Sequence, residues 1–117
     1  MTFRKNLHRS KRISLIKIEQ MIASYPRQYS TPKYMIFIKE MLALGWKVRL
    51  YQARVSKYVF VIRGNLVRKI RFSNHKPLFL KEMEEDCDYY VGITHKQVST
   101  TEKIIQELIK LTPNEIS

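Results

Sequence analysis

Gly45-Trp46-Lys47-Val48-Arg49-Leu50-Tyr51 marks the point at which the hydrophobic period changes from near four residues to two. Trp46, Val48 and Leu50 alternate with Lys47, Arg49 and Tyr51, the pattern of a strand with one face on a core. The run Lys57 to Arg63 carries Tyr58, Val59, Phe60, Val61 and Ile62, apolar on both faces, and reads as a central strand covered by a helix on one side. Gly64-Asn65 then makes a tight turn whose order is the reverse of the favoured Asn-Gly, which leaves the turn type open. Leu66 to Phe72 follows as a partner strand, with Ile70 and Phe72 pointing one way and Lys69 and Arg71 the other. The three runs form a meander.

Upstream of Gly45 the spacing is helical. Ile13, Ile16 and Met21, with Leu15, Ile18 and Ile22, predict a broad apolar stripe that Ser10 or Ser14 can cap and that Pro26 stops. A second helix is expected after Thr31, with Ser30 or Thr31 as cap and Pro32 in its first turn. Its apolar positions are Met35, Ile38, Met41 and Leu42, flanked by Ile36 and Phe37, and Gly45 is placed to end it. Downstream, Ser73 to Asp88 reads as a connection with a short helical turn after Pro77. Tyr89 to Thr94 returns to strand character, with Tyr89, Val91 and Ile93 on one face and Gly92 allowing close approach on the other. The last helix is capped by Ser99 or Thr100 with Glu102 as the capping-box acid. It buries Ile104, Ile105, Leu108, Ile109 and Leu111 and ends before Pro113.

These elements predict an α+β fold: a small, mainly antiparallel four-stranded sheet covered by helices, with a basic flexible N-terminal arm. The expected organisation is an arm over residues 1–12, one domain over 13–112 and a tail over 113–117. The arm follows from composition, because Phe3 and Leu7 are the only large apolar side chains between Met1 and Ile13.

Charge narrows the function classes. The 117 residues hold 22 Lys and Arg against 10 Asp and Glu, a formal charge of +12, which points to a phosphate-bearing partner. Arg4, Lys5, Arg9, Lys11, Arg12 and Lys17 precede the first acid, Glu19. Between Glu40 and Glu82 there is no acid, yet Lys47, Arg49, Arg54, Lys57, Arg63, Arg68, Lys69, Arg71, Lys76 and Lys81 lie there. Lys47 with Arg49, and Lys69 with Arg71, share strand faces, so the meander is expected to raise a basic patch on the side away from the helices. Like charges across a sheet repel unless something anionic offsets them. Tyr51, Tyr58 and Tyr90 either interleave with that patch and stack on bases or belong to the core. A lone Cys87 and the lack of a signal-peptide pattern argue for a cytoplasmic protein, and no apolar run reaches the roughly 20 residues that span a bilayer.

Catalytic signals are weak. Three His and one Cys are too few and too scattered for a transition-metal site, and no cofactor is implied. Glu82, Glu84, Glu85, Asp86 and Asp88 resemble a solvent-facing loop more than the rigid carboxylate set of a metal-dependent nuclease. Asn74 and His75, between Arg71 and Lys76, either form a hydrogen-bonded turn or join the recognition surface.

The basic N-terminal tail, the helix ending before Gly45-Trp46, the strand ending in Arg71-Phe72-Ser73-Asn74-His75, the strand at Tyr90 to Thr94 and the Ile-rich last helix together resemble phage-encoded anti-CRISPR proteins. Those proteins are small inhibitors of the type II RNA-guided effector nuclease, found in phages of streptococci and similar low-GC bacteria. The likeness spans roughly Tyr34 to Leu111 and the character of the tail, and extends to related small phage and mobile-element proteins. This chain has a shorter, less Arg-rich tail and an extended hairpin at Arg54 to Gly64. The resemblance implies a non-catalytic inhibitor in the bacterial host cytoplasm that binds the guide-loaded nuclease. Arg4, Lys5, Arg9, Lys11 and Arg12 would then engage guide RNA or a surface used by target DNA. The alternative is a phage or plasmid regulatory or accessory protein that binds DNA or RNA directly. Neither reading calls for stable membrane association.

Overall fold

The computed structural model describes residues 4–73, 87–91 and 101–111. In chain order these form β1 (Lys11–Ile13), α1 (Leu15–Ser24), α2 (Lys33–Ala43), β2 (Lys47–Gln52), β3 (Ser56–Arg63), β4 (Leu66–Ser73), β5 (Tyr89–Val91) and α3 (Thr101–Leu111). The class is α+β, with a five-stranded sheet in the order β1-β2-β3-β4-β5.

The sheet departs from the expected four antiparallel strands in two ways. Lys11–Ile13 pairs antiparallel with β2, in register Lys11 to Leu50, Arg12 to Arg49 and Ile13 to Val48, so Lys11 and Arg12 are strand residues and not part of an arm. A three-residue strand with one apolar side chain leaves almost no periodic signal, yet it covers an edge of β2 that would otherwise be unpaired. At the other edge β5 runs parallel to β4, pairing Ile70 with Tyr89 and Phe72 with Val91. Parallel neighbours need a long crossover, which the connection 74–88 provides.

Between the edges the meander stands as expected. β2 and β3 pair through Val48–Val61 and Leu50–Val59, and β3 and β4 through Val59–Ile70 and Phe60–Lys69. In the turn joining β3 and β4 Gly64 has φ of 58° while Asn65 keeps a negative φ, the pattern of a II′ turn, which needs only its first central residue in that region.

The helices lie on one face. Ile18 of α1, Phe37, Ile38 and Met41 of α2, and Ile104 and Leu108 of α3 close over Val48, Val59, Val61 and Ile70. All ten of these side chains are fully buried, and burial of each such side chain stabilises the fold by about 1.5–3 kcal/mol. Phe72 joins the cluster, its ring centroid 5.6 Å from Phe37.

Helix boundaries correct several details. Ser14 caps α1 by accepting from the Lys17 amide at 3.1 Å, and Ile13 lies in β1 ahead of it. The stripe on α1 is narrow: Ile18 is buried, whereas Ile16 is 71% exposed and Leu15 also faces out. Before α2, Pro32 occupies the cap position itself, with no side-chain cap bond from Ser30 or Thr31. Phe37, expected to flank the stripe, is fully buried, and Ile109 of α3, expected in the core, is half exposed. Gly45 ends α2 as expected. Its φ of 92° lets the Gly45 amide reach the Leu42 carbonyl and the Trp46 amide reach Met41, a Schellman pair. The Ser99 and Thr100 caps, Gly92, Ile93 and Pro113 lie outside the described residues.

Candidate nucleic-acid interface

Strand alternation sends Arg12, Lys47, Arg49, Tyr51, Tyr58, Phe60, Lys69, Arg71 and Tyr90 to the sheet face away from the helices. Two cross-strand rows result. One runs Arg12, Arg49, Phe60, Lys69; the next runs Tyr51, Tyr58, Arg71, Tyr90.

From Arg49 to Lys69 the first row is covered, while Arg12 stays exposed. Residues 4–10, expected as a mobile arm, cross the sheet as a strap. Leu7, Arg9 and Ser10 amides bond back to the Arg4, Asn6 and Leu7 carbonyls, and Asn6 turns the chain with φ of 71°. At one end Arg49 donates from Nε to Ser10 Oγ at 2.8 Å and from Nη2 to the Ser10 carbonyl. At the other end Lys69 Nζ donates to the Lys5 carbonyl at 2.8 Å. Phe60 sits between Arg49 and Lys69 in register, so a chain bonded to both crosses above it, and Phe60 is fully buried.

Asp88 pins the start of the strap. Its carboxylate pairs with Arg4 Nη1 at 3.1 Å and accepts from the Lys69 amide at 2.8 Å, while its own amide donates to the Lys69 carbonyl. Arg4 also donates to the Val67 carbonyl at 3.4 Å. Asp88, an exposed loop residue as expected, is thereby also a structural anchor; Glu82, Glu84, Glu85 and Asp86 lie outside the described residues.

Lys69 is the main correction on this face. Expected to point its charge at solvent, it is fully buried, with Nζ 4.6 Å from the Tyr58 ring centroid and 5.6 Å from that of Phe60. Ring faces attract a cation and the Lys5 carbonyl accepts from it, which is how a buried Lys is tolerated. Arg49 and Arg71 are half-buried as well, Arg71 donating from Nε to Ser56 Oγ at 3.2 Å.

The second row is partly open. Tyr51 and Tyr58 stack with centroids 6.1 Å apart and planes 26° apart, and both remain half-buried. Tyr90 is 8% exposed, lies 5.8 Å from the Arg71 guanidinium and donates its hydroxyl to the Ser73 carbonyl at 3.4 Å. It is packed, not displayed. Burial pushes its phenol above the ordinary value, with Arg71 opposing in part.

A group of exposed cations lies at the β1 edge. Arg9, Lys11, Arg12 and Lys47 are exposed there, and so is Lys17 on α1, a member of the N-terminal basic run that sequence alone does not place in the site; Lys5 is exposed at the far end of the strap, over β4. Arg12, Lys17 and Lys47 rim a groove of about 450 Å³ whose apolar wall includes Leu42 and Trp46. Arg54 is exposed at the β2–β3 turn, while Lys57 and Arg68, in register with Phe72 and Val61, are half-buried on the helix side of the sheet, away from this edge. Arg63, across from Leu66, caps α2 instead: it donates to the Leu44 carbonyl at 2.8 Å and lies 5.0 Å from the Trp46 ring. Asn74, His75 and Lys76 lie outside the described residues, as does any pairing of His75 with His95.

Ser10, which the sequence offers as a helix cap, serves the strap instead. Its two acceptor oxygens on Arg49 tie sequence positions far apart, and no local pattern announces that. No helix among the described residues is long and apolar enough to cross a membrane. Comparison with family models, with curated proteins and with solved structures finds no match to this chain.

Proposed function

We propose that the protein is a non-catalytic binder of nucleic acid or of a nucleoprotein, and that the β1 edge is its phosphate-binding surface. The observation that carries this reading is the convergence of exposed Arg12, Lys17 and Lys47 around one groove, with exposed Lys11 next to Arg12 on the same edge strand, on a sheet whose first four strands contain no acid. Arg12 directly opposite Arg49 is a like-charge pair that an anion would relieve. Guanidinium and ammonium groups at a rigid strand edge track a phosphate backbone without sequence readout. The resemblance to anti-CRISPR proteins favours the guide-loaded type II effector nuclease as that partner, with inhibition by occupying a nucleic-acid path on the complex.

The test is a K11Q/R12Q/K47Q variant, titrated against guide-loaded effector, effector without guide, and free RNA and DNA over a range of salt. Binding is expected to weaken, and the salt slope to fall by about 0.7–0.9 for each phosphate that is no longer neutralised. The thermal midpoint should change little, since all three side chains are exposed. Tight binding to the guide-loaded effector with weak binding to bare oligonucleotides supports the inhibitor reading; direct oligonucleotide binding supports the regulatory one. Native protein without salt-sensitive association with any of them overturns both.

A further inference from the structure

Phe60 poses a question the β1 edge does not answer. It is a fully buried aromatic on the face opposite the helices, at the middle of the central strand, two residues from Tyr58. It is flanked by Arg49 and Lys69, whose donors are taken by carbonyl and hydroxyl oxygens of the strap. Aromatic side chains at alternate positions of a central strand, with basic groups beside them, are the arrangement on which single-stranded bases stack while phosphates are held alongside.

We infer that this face is a binding surface for a single strand of nucleic acid, closed in the free protein by residues 4–10, whose oxygens hold the places of the strand's phosphate oxygens on Arg49 and Lys69. Bases stack on Tyr58 and Phe60, with Tyr51 extending the platform on β2. Charge complementarity selects the occupant: no acid lies on strands β1 to β4, and the strap itself carries exposed Lys5 and Arg9. The strap is a removable cover. It lies N-terminal to β1 and its described ties to the sheet are polar, whereas the helices close the other face with apolar side chains. Stacking needs unpaired bases, so a duplex gains only phosphate contacts from the same surface.

The inference rests on the nucleic-acid reading above, and the experiment separates the two. Fluorescence anisotropy with labelled uridine 12-mer, deoxythymidine 12-mer and a 12-base-pair duplex is measured for the wild type, S10A, Y58L and Y51S. Amide hydrogen exchange of residues 5–10 is followed with and without the oligonucleotides. S10A removes one tie of the strap, so single-strand affinity should rise about 2- to 10-fold. Y58L removes a stacking face and should lower it roughly 5- to 150-fold, with duplex binding unchanged. Y51S, farther out on the row, supplies the same comparison if Y58L unfolds, as read by its thermal midpoint. Exchange at the Leu7, Arg9 and Ser10 amides should speed up when the single strand binds. Preference for RNA or for DNA identifies the sugar, and either supports the site. Equal binding of single strand and duplex that ignores the tyrosine variants overturns the stacking site while the phosphate edge stands. Strap amides that become more protected on binding overturn the displacement. Absence of binding to any of the three probes overturns the inference, and if association with guide-loaded effector persists, the reading above stands.

Discussion

On one side of the sheet Val48, Val59, Val61, Ile70 and Phe72 lie under three helices; on the other, Arg49, Phe60 and Lys69, from the same strands at intervening positions, lie under residues 4–10. The first closure is apolar and continuous, with Phe37, Ile38, Met41 and Leu108 fully buried against the strands. The second is a short segment held by bonds to two basic side chains and by one ion pair at the edge, between side chains about a quarter exposed. A partly exposed ion pair contributes on the order of 1 kcal/mol or less, and each hydrogen bond about 0.5–1.5 kcal/mol. Alternation along a strand thus gives one sheet a permanent core and a cover of modest strength.

Removing the same ring from each side breaks or sharpens that contrast. Phe37→Ala should cost about 3–5 kcal/mol in chemical denaturation, because three helices cannot close a hole of that size. Phe60→Ala should cost less, about 1–3 kcal/mol, since the strap can settle toward the sheet. Equal losses would mean that the strap is as firmly built as the helical layer. Smaller again is Ser10→Ala, at about 0.5–1.5 kcal/mol, with faster amide exchange in β1 and unchanged exchange in β3. Uniform acceleration across the sheet would argue against a separately opening cover.

The smallest effect is electrostatic and sits at the other edge. Burial, then Glu107 nearby, raises the Tyr89 phenol above its usual value. A group whose folded pKa is raised contributes stability that is complete below about pH 10 and is lost as pH climbs through the folded value. The thermal midpoint should therefore decline above about pH 10, and Tyr89→Phe should make that decline shallower. Tyr34 and Tyr90, raised chiefly by burial as well, leave a residual slope. An identical alkaline limb in the variant would remove Tyr89 from this account.

Much of the architecture is legible as local spacing. The change of period at Gly45, the alternation through β2 to β4 and the apolar positions Ile38, Met41, Ile104 and Leu108 each depend on neighbours a few residues away, and the elements form where that spacing places them. The exposed basic residues of the candidate site, Lys11, Arg12 and Lys47, are equally visible as charge. Periodicity misjudges Ile16 and Ile109, apolar at helical spacing but turned outward, because the packing layer beneath each helix is narrower than its apolar arc.

Composition and period alone determined an α+β chain with a strongly basic sheet and an apolar layer against its helices. Only the tertiary structure decided that Lys69 is buried, that Arg49 is engaged and that the N-terminal residues form a strap and an edge strand. The reason is distance along the chain: Lys69 meets the Lys5 carbonyl across 64 positions, and Arg49 meets Ser10 across 39. A side chain's exposure depends on what crosses above it, and a segment rich in Lys and Arg with one Leu gives no period to say that it will cross at all.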